Sequence, residues 1–122
     1  MRIFAIAVLV AAMAAPAVAR AADAEAGSKV FRAQCSACHV TEAGKNRVGP
    51  SLFGIVGRHS GEVEGFHYSA ANKRADLVWT AEQLDKYLAN PKAVVPGTIM
   101  TYAGLKNDVQ RADLIGYLES LH

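Results

Sequence analysis

Residues 35–39 read Cys35-Ser36-Ala37-Cys38-His39. A C-x-x-C-H run is the attachment signature of a c-type haem. Two thiols one helical turn apart can each add to one of the two vinyl groups on the porphyrin edge, and the next residue then presents an imidazole to the iron. At this chain's own frequencies of Cys and His, the pattern arises by accident on the order of once in a thousand such sequences. Other uses of the two cysteines fit less well. Zinc needs four ligands, and the sequence has neither a second Cys pair nor an H-x-x-x-H. A thioredoxin-like dithiol sits in a βαβ unit, whereas no strand pattern surrounds these residues. A Cys35–Cys38 disulfide closes too short a loop to stabilise much.

Upstream of the motif, residues 1–22 read MRIFAIAVLVAAMAAPAVARAA. A basic Arg2, an apolar stretch from Ile3 and small residues after Pro16 make the pattern of a secretory signal peptide. Ala17-Val18-Ala19 and Ala19-Arg20-Ala21 are both A-x-A cleavage sites, so the cut falls after residue 19 or 21. The alternative, an uncut membrane anchor, is disfavoured because the apolar stretch is short and alanine-rich. The expected organisation is therefore a cleaved leader, 1–21, followed by one domain, 22–122.

The chain has 122 residues, 52% of them hydrophobic and 20% charged, with two cysteines. That composition excludes a disordered tail, a collagen-like repeat and a disulfide scaffold, and the length suits one small domain. A formal net charge of +2, with no run of Lys and Arg, gives no case for nucleic-acid binding. Losing residues 1–21 removes Arg2 and Arg20, which leaves 11 basic residues against 11 acidic ones. It also removes Met1 and Met13, so Met100 becomes the only methionine. A chain of about 100 residues has a modest core and gains from a large apolar insert.

Downstream, periodicity and punctuation suggest a helical, loop-rich domain. Asp23 can cap a helix running into the motif, with Gly27, Val30, Phe31 and Cys35 at helical spacing. Residues 41–78 are Gly-rich and irregular, with a short helix expected around Ser69–Arg74. Thr80 and Gln83 make a capping box for a helix that must stop at Asn90-Pro91. Asn107 and Gln110 start a terminal helix with Val109, Leu114, Tyr117, Leu118 and Leu121 on one side. A low-spin electron-transfer haem wants a soft sixth ligand, and Met100 lies in a Pro-Gly loop rather than on an apolar helix face. His59 and His67 are its rivals from polar, Gly-rich surroundings, while His122 reads as surface.

The chain resembles the class I cytochromes c, near the branch of mitochondrial cytochrome c and bacterial cytochrome c2. The resemblance runs from about Gly27 to Leu121. It is carried by Cys35–His39, Val48-Gly49-Pro50-Ser51-Leu52, Gly57-Arg58, Gly65-Phe66-His67-Tyr68, Ala71-Asn72-Lys73, Trp79, Tyr87-Leu88-Ala89-Asn90-Pro91 and Pro96–Gly104. It implies an all-α fold in which three main helices and Gly-rich loops wrap one covalently bound haem c. Gly27 and Phe31 would pack against Leu114 and Tyr117, and Met100 rather than a second histidine would join His39 on the iron. Pro50 would offer its carbonyl to His39. Tyr87 and Thr98 would hydrogen-bond around Met100, with Asn72 in the same network. Arg58, Tyr68 and Trp79 would hold a buried haem propionate.

The function implied is one-electron transfer in the bacterial periplasm by a monomer that meets its partners transiently. Those partners would be a cytochrome bc1-type complex, a terminal oxidase or a reaction centre. Lys29, Arg47, Lys92 and Lys106 match the family's docking cations, while Gln34 and Asn107 replace charges there. Counting two propionates and the ferric centre, the processed holoprotein would sit near −1 oxidised and −2 reduced, which weakens electrostatic steering. An enzyme or sensor of the peroxidase kind is the competing reading. It needs a vacant axial position and distal acid–base residues, neither of which is visible.

Overall fold

A computed structural model describes residues 20–122; of the expected leader, residues 1–19 lie outside the described part. Five helices follow in order: α1 (Ala24–Gln34), α2 (Ala70–Arg74), α3 (Ala81–Ala89), α4 (Pro91–Val94) and α5 (Asp108–Glu119). Among the described residues the only strand-like pairing is one antiparallel bridge between His59 and Val78. The fold is all-α.

The capping residues work as their chemistry demands. Asp23, Thr80 and Asn107 each accept a bond from a first-turn N–H, those of Ala26, Gln83 and Gln110, at 3.0–3.1 Å. The Thr80 box is half made, because the Thr80 N–H donates to Val78 O at 2.8 Å rather than to a Gln83 side chain. After α3 ends at Ala89 the chain does not simply turn. Pro91 occupies the first position of the one-turn helix α4, where its missing N–H matters least.

Helices α1 and α5 cross at Gly27. A Cβ built there would lie 1.9 Å from the Asp113 carbonyl oxygen, so only glycine lets the two backbones meet. One turn on, the rings of Phe31 and Tyr117 pack with centroids 5.7 Å apart. Leu114, fully buried, sits below them, and Leu118, Ile115, Leu84, Leu88 and Val95 continue the core toward α3 and α4. Burial of such side chains is worth roughly 1.5–3 kcal/mol each.

One expectation for α5 is corrected. Val109 is 51% exposed, because it lies five residues before Leu114, about 140° round the helix. Arg111, about 60° from Leu114, takes the inward position instead. Its guanidinium donates to Asp85 at 2.7 Å, to Asp108 at 2.8 Å and to Leu105 O at 2.9 Å, tying α5 to α3 and to the preceding loop. Those partners satisfy a buried charge that would otherwise be costly.

Candidate functional site

The first functional residues follow from the way α1 ends. Cys35 caps the helix with its N–H still bonded to Phe31 O at 2.8 Å. The next turn is closed by Cys38 N and His39 N, both donating to Cys35 O, at 3.1 and 2.9 Å. The two thiols and the imidazole are half-buried and line one cavity of about 510 Å³. The sulfurs are not bonded to one another, and burial pushes the Cys35 thiol up to about 11.

His39 is held from behind. Its Nδ1 lies 2.7 Å from Pro50 O, so it carries the proton and donates, which leaves Nε2 with a free lone pair. Burial holds the imidazole below its ordinary range against the opposing pull of the Pro50 bond, and the Arg58 charge adds to the lowering. The ring is neutral near pH 7, the form that ligates metals. Gly49 makes room for it: a Cβ there would stand 2.2 Å from His39 Cε1.

Met100 reaches the same cavity from the far end of the sequence, whereas His59 and His67 are exposed and do not line it. Thr98 Oγ1 accepts from Met100 N at 3.3 Å, and Tyr87 Oη lies 3.5 Å from Thr98 Oγ1 and 3.9 Å from Met100 Sδ. Asn72 is not part of that cluster. It lines the cavity, but its bonds go to Ser69, the N-cap of α2, which turns the amide toward its own helix. Tyr87 is buried with its ring 4.7 Å from Trp79.

Arg58, Tyr68 and Trp79 share one stretch of the cavity wall. Arg58 donates to Ser51 O at 2.8 Å and to Phe53 O, so its half-buried charge is anchored to backbone carbonyls. Burial lowers its pKa, while neighbouring Tyr68 and Glu62 support the charge. Tyr68 Oη accepts from Val63 N at 3.2 Å. Burial raises its own pKa, against the pull of the Val63 and Arg58 bonds.

Of the four family-matched cations, three have partners within the chain. Lys29 lies 3.7 Å from Glu25, Arg47 donates to Ser36 O at 3.1 Å, and Lys106 donates to Ala89 O. Lys92 is exposed on α4. His122, also exposed, lies 3.0 Å from Glu119 O through Nδ1.

Three further features escaped the sequence reading. Tyr102 Oη donates to Gln34 at 3.1 Å, bridging the loop of Met100 and the end of α1 where both line the cavity. Asn46 accepts from Ser51 N at 3.0 Å and donates to Glu64 O at 3.3 Å, stapling two Gly-rich loops together. Val48 and Ile99, 76% and 65% exposed, also line the cavity. Each pairing except Asn46 with Ser51 joins residues far apart in sequence, where no local period signals it.

The residues present fit a haem: apolar side chains such as Leu52, Ile55, Leu84 and Trp79 line the walls, with two thiols, an oriented neutral imidazole and one thioether. Among the described residues no cluster of His, Cys, Asp and Glu could hold a metal ion by itself. A family profile described as "Cytochrome c" matches residues 24–122. The chain belongs to the cytochrome c family. It is 54% identical over 97 residues to cytochrome c type-1 of Ascaris suum, covering 80% of this chain and 87% of that protein. Cytochrome c 2.1 of Caenorhabditis briggsae is 52% identical over 99 residues, covering 81% and 88%. Cytochrome c2 of Blastochloris viridis is 47% identical over 115 residues, covering 93% and 88%. Membership implies a covalently bound haem c and a role in electron transport.

Proposed function

We propose that this chain is an exported one-electron carrier whose haem is bound through Cys35 and Cys38, with the iron between His39 and Met100. The observation that carries the reading is the single cavity that gathers these four residues while leaving His59 and His67 outside. Haem held there would supply one-electron exchange, with His39 and Met100 as the residues that would hold its iron.

The surrounding side chains set the conditions for that exchange. Pro50 fixes the His39 tautomer, which strengthens the imidazole as a donor. Tyr87 and Thr98 hold the Met100 loop, so the thioether need not be recruited from solvent. Arg58, Tyr68 and Trp79 offer N–H and O–H donors where acid groups of the porphyrin would need them. Apolar walls exclude water and favour the less charged ferrous state, which raises the potential.

Lys29, Arg47, Lys92 and Lys106 flank a docking face for transient partners: a cytochrome bc1-type complex as donor, and a terminal oxidase or reaction centre as acceptor. The chain acts as a monomer in the bacterial periplasm. The leader pattern supports that location, and the Blastochloris viridis match covers more of this chain than residues 24–122 can supply, so it enters the leader. Among the described residues no helix is long and apolar enough to cross a membrane. Optical spectroscopy of the ferrous holoprotein tests the reading. A six-coordinate spectrum that carbon monoxide leaves unchanged is expected; rapid formation of a carbon monoxide adduct would instead favour the peroxidase-like reading.

A further inference from the structure

Asp113 lies at the crossing of α1 and α5, 4% exposed and outside the haem cavity. Its carboxylate accepts two bonds from the guanidinium of Arg20, Nη1 to Oδ1 at 2.9 Å and Nη2 to Oδ2 at 3.3 Å. The Asp23 N–H donates to the same Oδ1 at 2.9 Å. Just beyond, Ala22 rests on α5 at Gly116, where an added Cβ would come within 2.9 Å of Ala22 Cβ. Residues 20–23 are therefore packed onto the domain, although α1 begins only at Ala24 and the family match at residue 24. The fork of the guanidinium suits a paired, two-point contact with a carboxylate, which a lysine could not reproduce.

Two A-x-A sites, ending at Ala19 and at Ala21, satisfy the small-residue rule for leader cleavage equally well. The structure separates them. A cation directly behind an apolar export segment opposes its translocation. In a discarded leader Arg20 would carry that disadvantage with nothing to offset it. Retained, it neutralises a carboxylate that the packing of α1 on α5 shuts away from water. Cutting after Ala21 would remove both guanidinium bonds and leave Asp113 with only the Asp23 N–H of its present partners.

We propose that the leader is cut between Ala19 and Arg20, and that Arg20, as the first residue of the mature protein, locks the N-terminus onto α5 through Asp113. The step is a hydrolysis by a leader peptidase. The Ala19–Arg20 C–N bond breaks, water supplies the hydroxyl of the Ala19 carboxyl group, and the proton goes to the Arg20 amine. The mature chain then keeps one more cation than a chain starting at Ala22. The proposal rests on the exported reading above.

Full-length precursor expressed in a bacterium with haem-attachment machinery, purified from the periplasm as holoprotein, gives the test by intact mass. A species running from Arg20 to His122 is expected. A species beginning at Ala22 overturns this proposal and leaves the exported reading standing; a chain still bearing its leader overturns both. Denaturation of the holoprotein checks the lock itself. Arg20→Gln and Asp113→Asn should each lower the guanidinium midpoint, and the double variant should fall no further than the weaker single one. An unchanged midpoint in Arg20→Gln overturns the lock whatever the mass shows.

Discussion

The α1–α5 crossing and the loops that wall the cavity are built on different terms. At the crossing, two capped helices meet through Gly27 and bury Phe31 and Leu114, so the contact is made of periodic, self-supporting elements. The walls at residues 41–69 and 95–107 are loops held by single bonds such as Asn46 to Glu64 and Tyr102 to Gln34. Burial drives the first arrangement. The second turns apolar side chains such as Leu52 and Ile55 onto a space of about 510 Å³ that an apolar group must fill.

The largest expected effect comes from withholding that group. Cys35→Ser with Cys38→Ser should leave a largely unfolded polypeptide, because α1 and α5 alone do not close the core. Far-UV dichroism and thermal scans check it; cooperative melting with native helicity in the haem-free variant would erase the distinction between frame and walls. Within the frame, Leu114→Ala in the holoprotein should cost about 2–5 kcal/mol by denaturant titration. A cost well below that range would mean that the haem, not the helix crossing, carries the core.

The frame was legible in the sequence and the walls were only partly so. Asp23, Thr80 and Asn107 announce three helices because a cap acts within four residues of itself. The interior face of α5 was misread at Val109, where an apolar residue sits off the face and Arg111 sits on it. Composition assigns a charged residue to the surface, and nothing local reveals that Asp85 and Asp108 wait for it. Around the cavity, Cys35–His39 declares its own chemistry through spacing. Asn72 could not be placed in the same way: whether its amide faces Thr98 or Ser69 depends on how the chain folds back, and here it serves the N-cap of α2. The one-turn helix α4 was missed because Pro91 reads equally as a stop and as a first residue.

Smaller effects sharpen the contrast. Thr80→Ala removes one cap bond from α3 and should cost about 1 kcal/mol, read as a lower denaturation midpoint with an unchanged haem spectrum. Tyr102→Phe removes the bond to Gln34 and should cost below about 1 kcal/mol overall. Its effect should concentrate in the Met100 loop, as faster amide exchange there than in α5. Uniform exchange changes would show that the loop is not separately held.

The same loop should respond to pH in its own way. Lysines beside the axial methionine displace it at alkaline pH in the basic mitochondrial cytochromes, whereas here no lysine lies between Lys92 and Lys106. Lys106 is already bonded to Ala89 O, and Lys92 stands before the Pro96-Gly97 turn, so either amine must drag the loop to reach the iron. Under the proposed ligation, Met100 should therefore stay on the ferric iron to higher pH than in those relatives, or give way to hydroxide. Electron paramagnetic resonance of the alkaline form distinguishes the two. A lysine-type signal appearing at the relatives' own pH would contradict the expectation.

Iron ligation by Met100 is the claim on which the carrier reading turns, and one spectrum addresses it. The ferric holoprotein should show the near-infrared sulfur-to-iron charge-transfer band, and Met100→Ala should abolish it while lowering the reduction potential. Persistence of that band in Met100→Ala, with the potential unmoved, would show that another residue holds the sixth position.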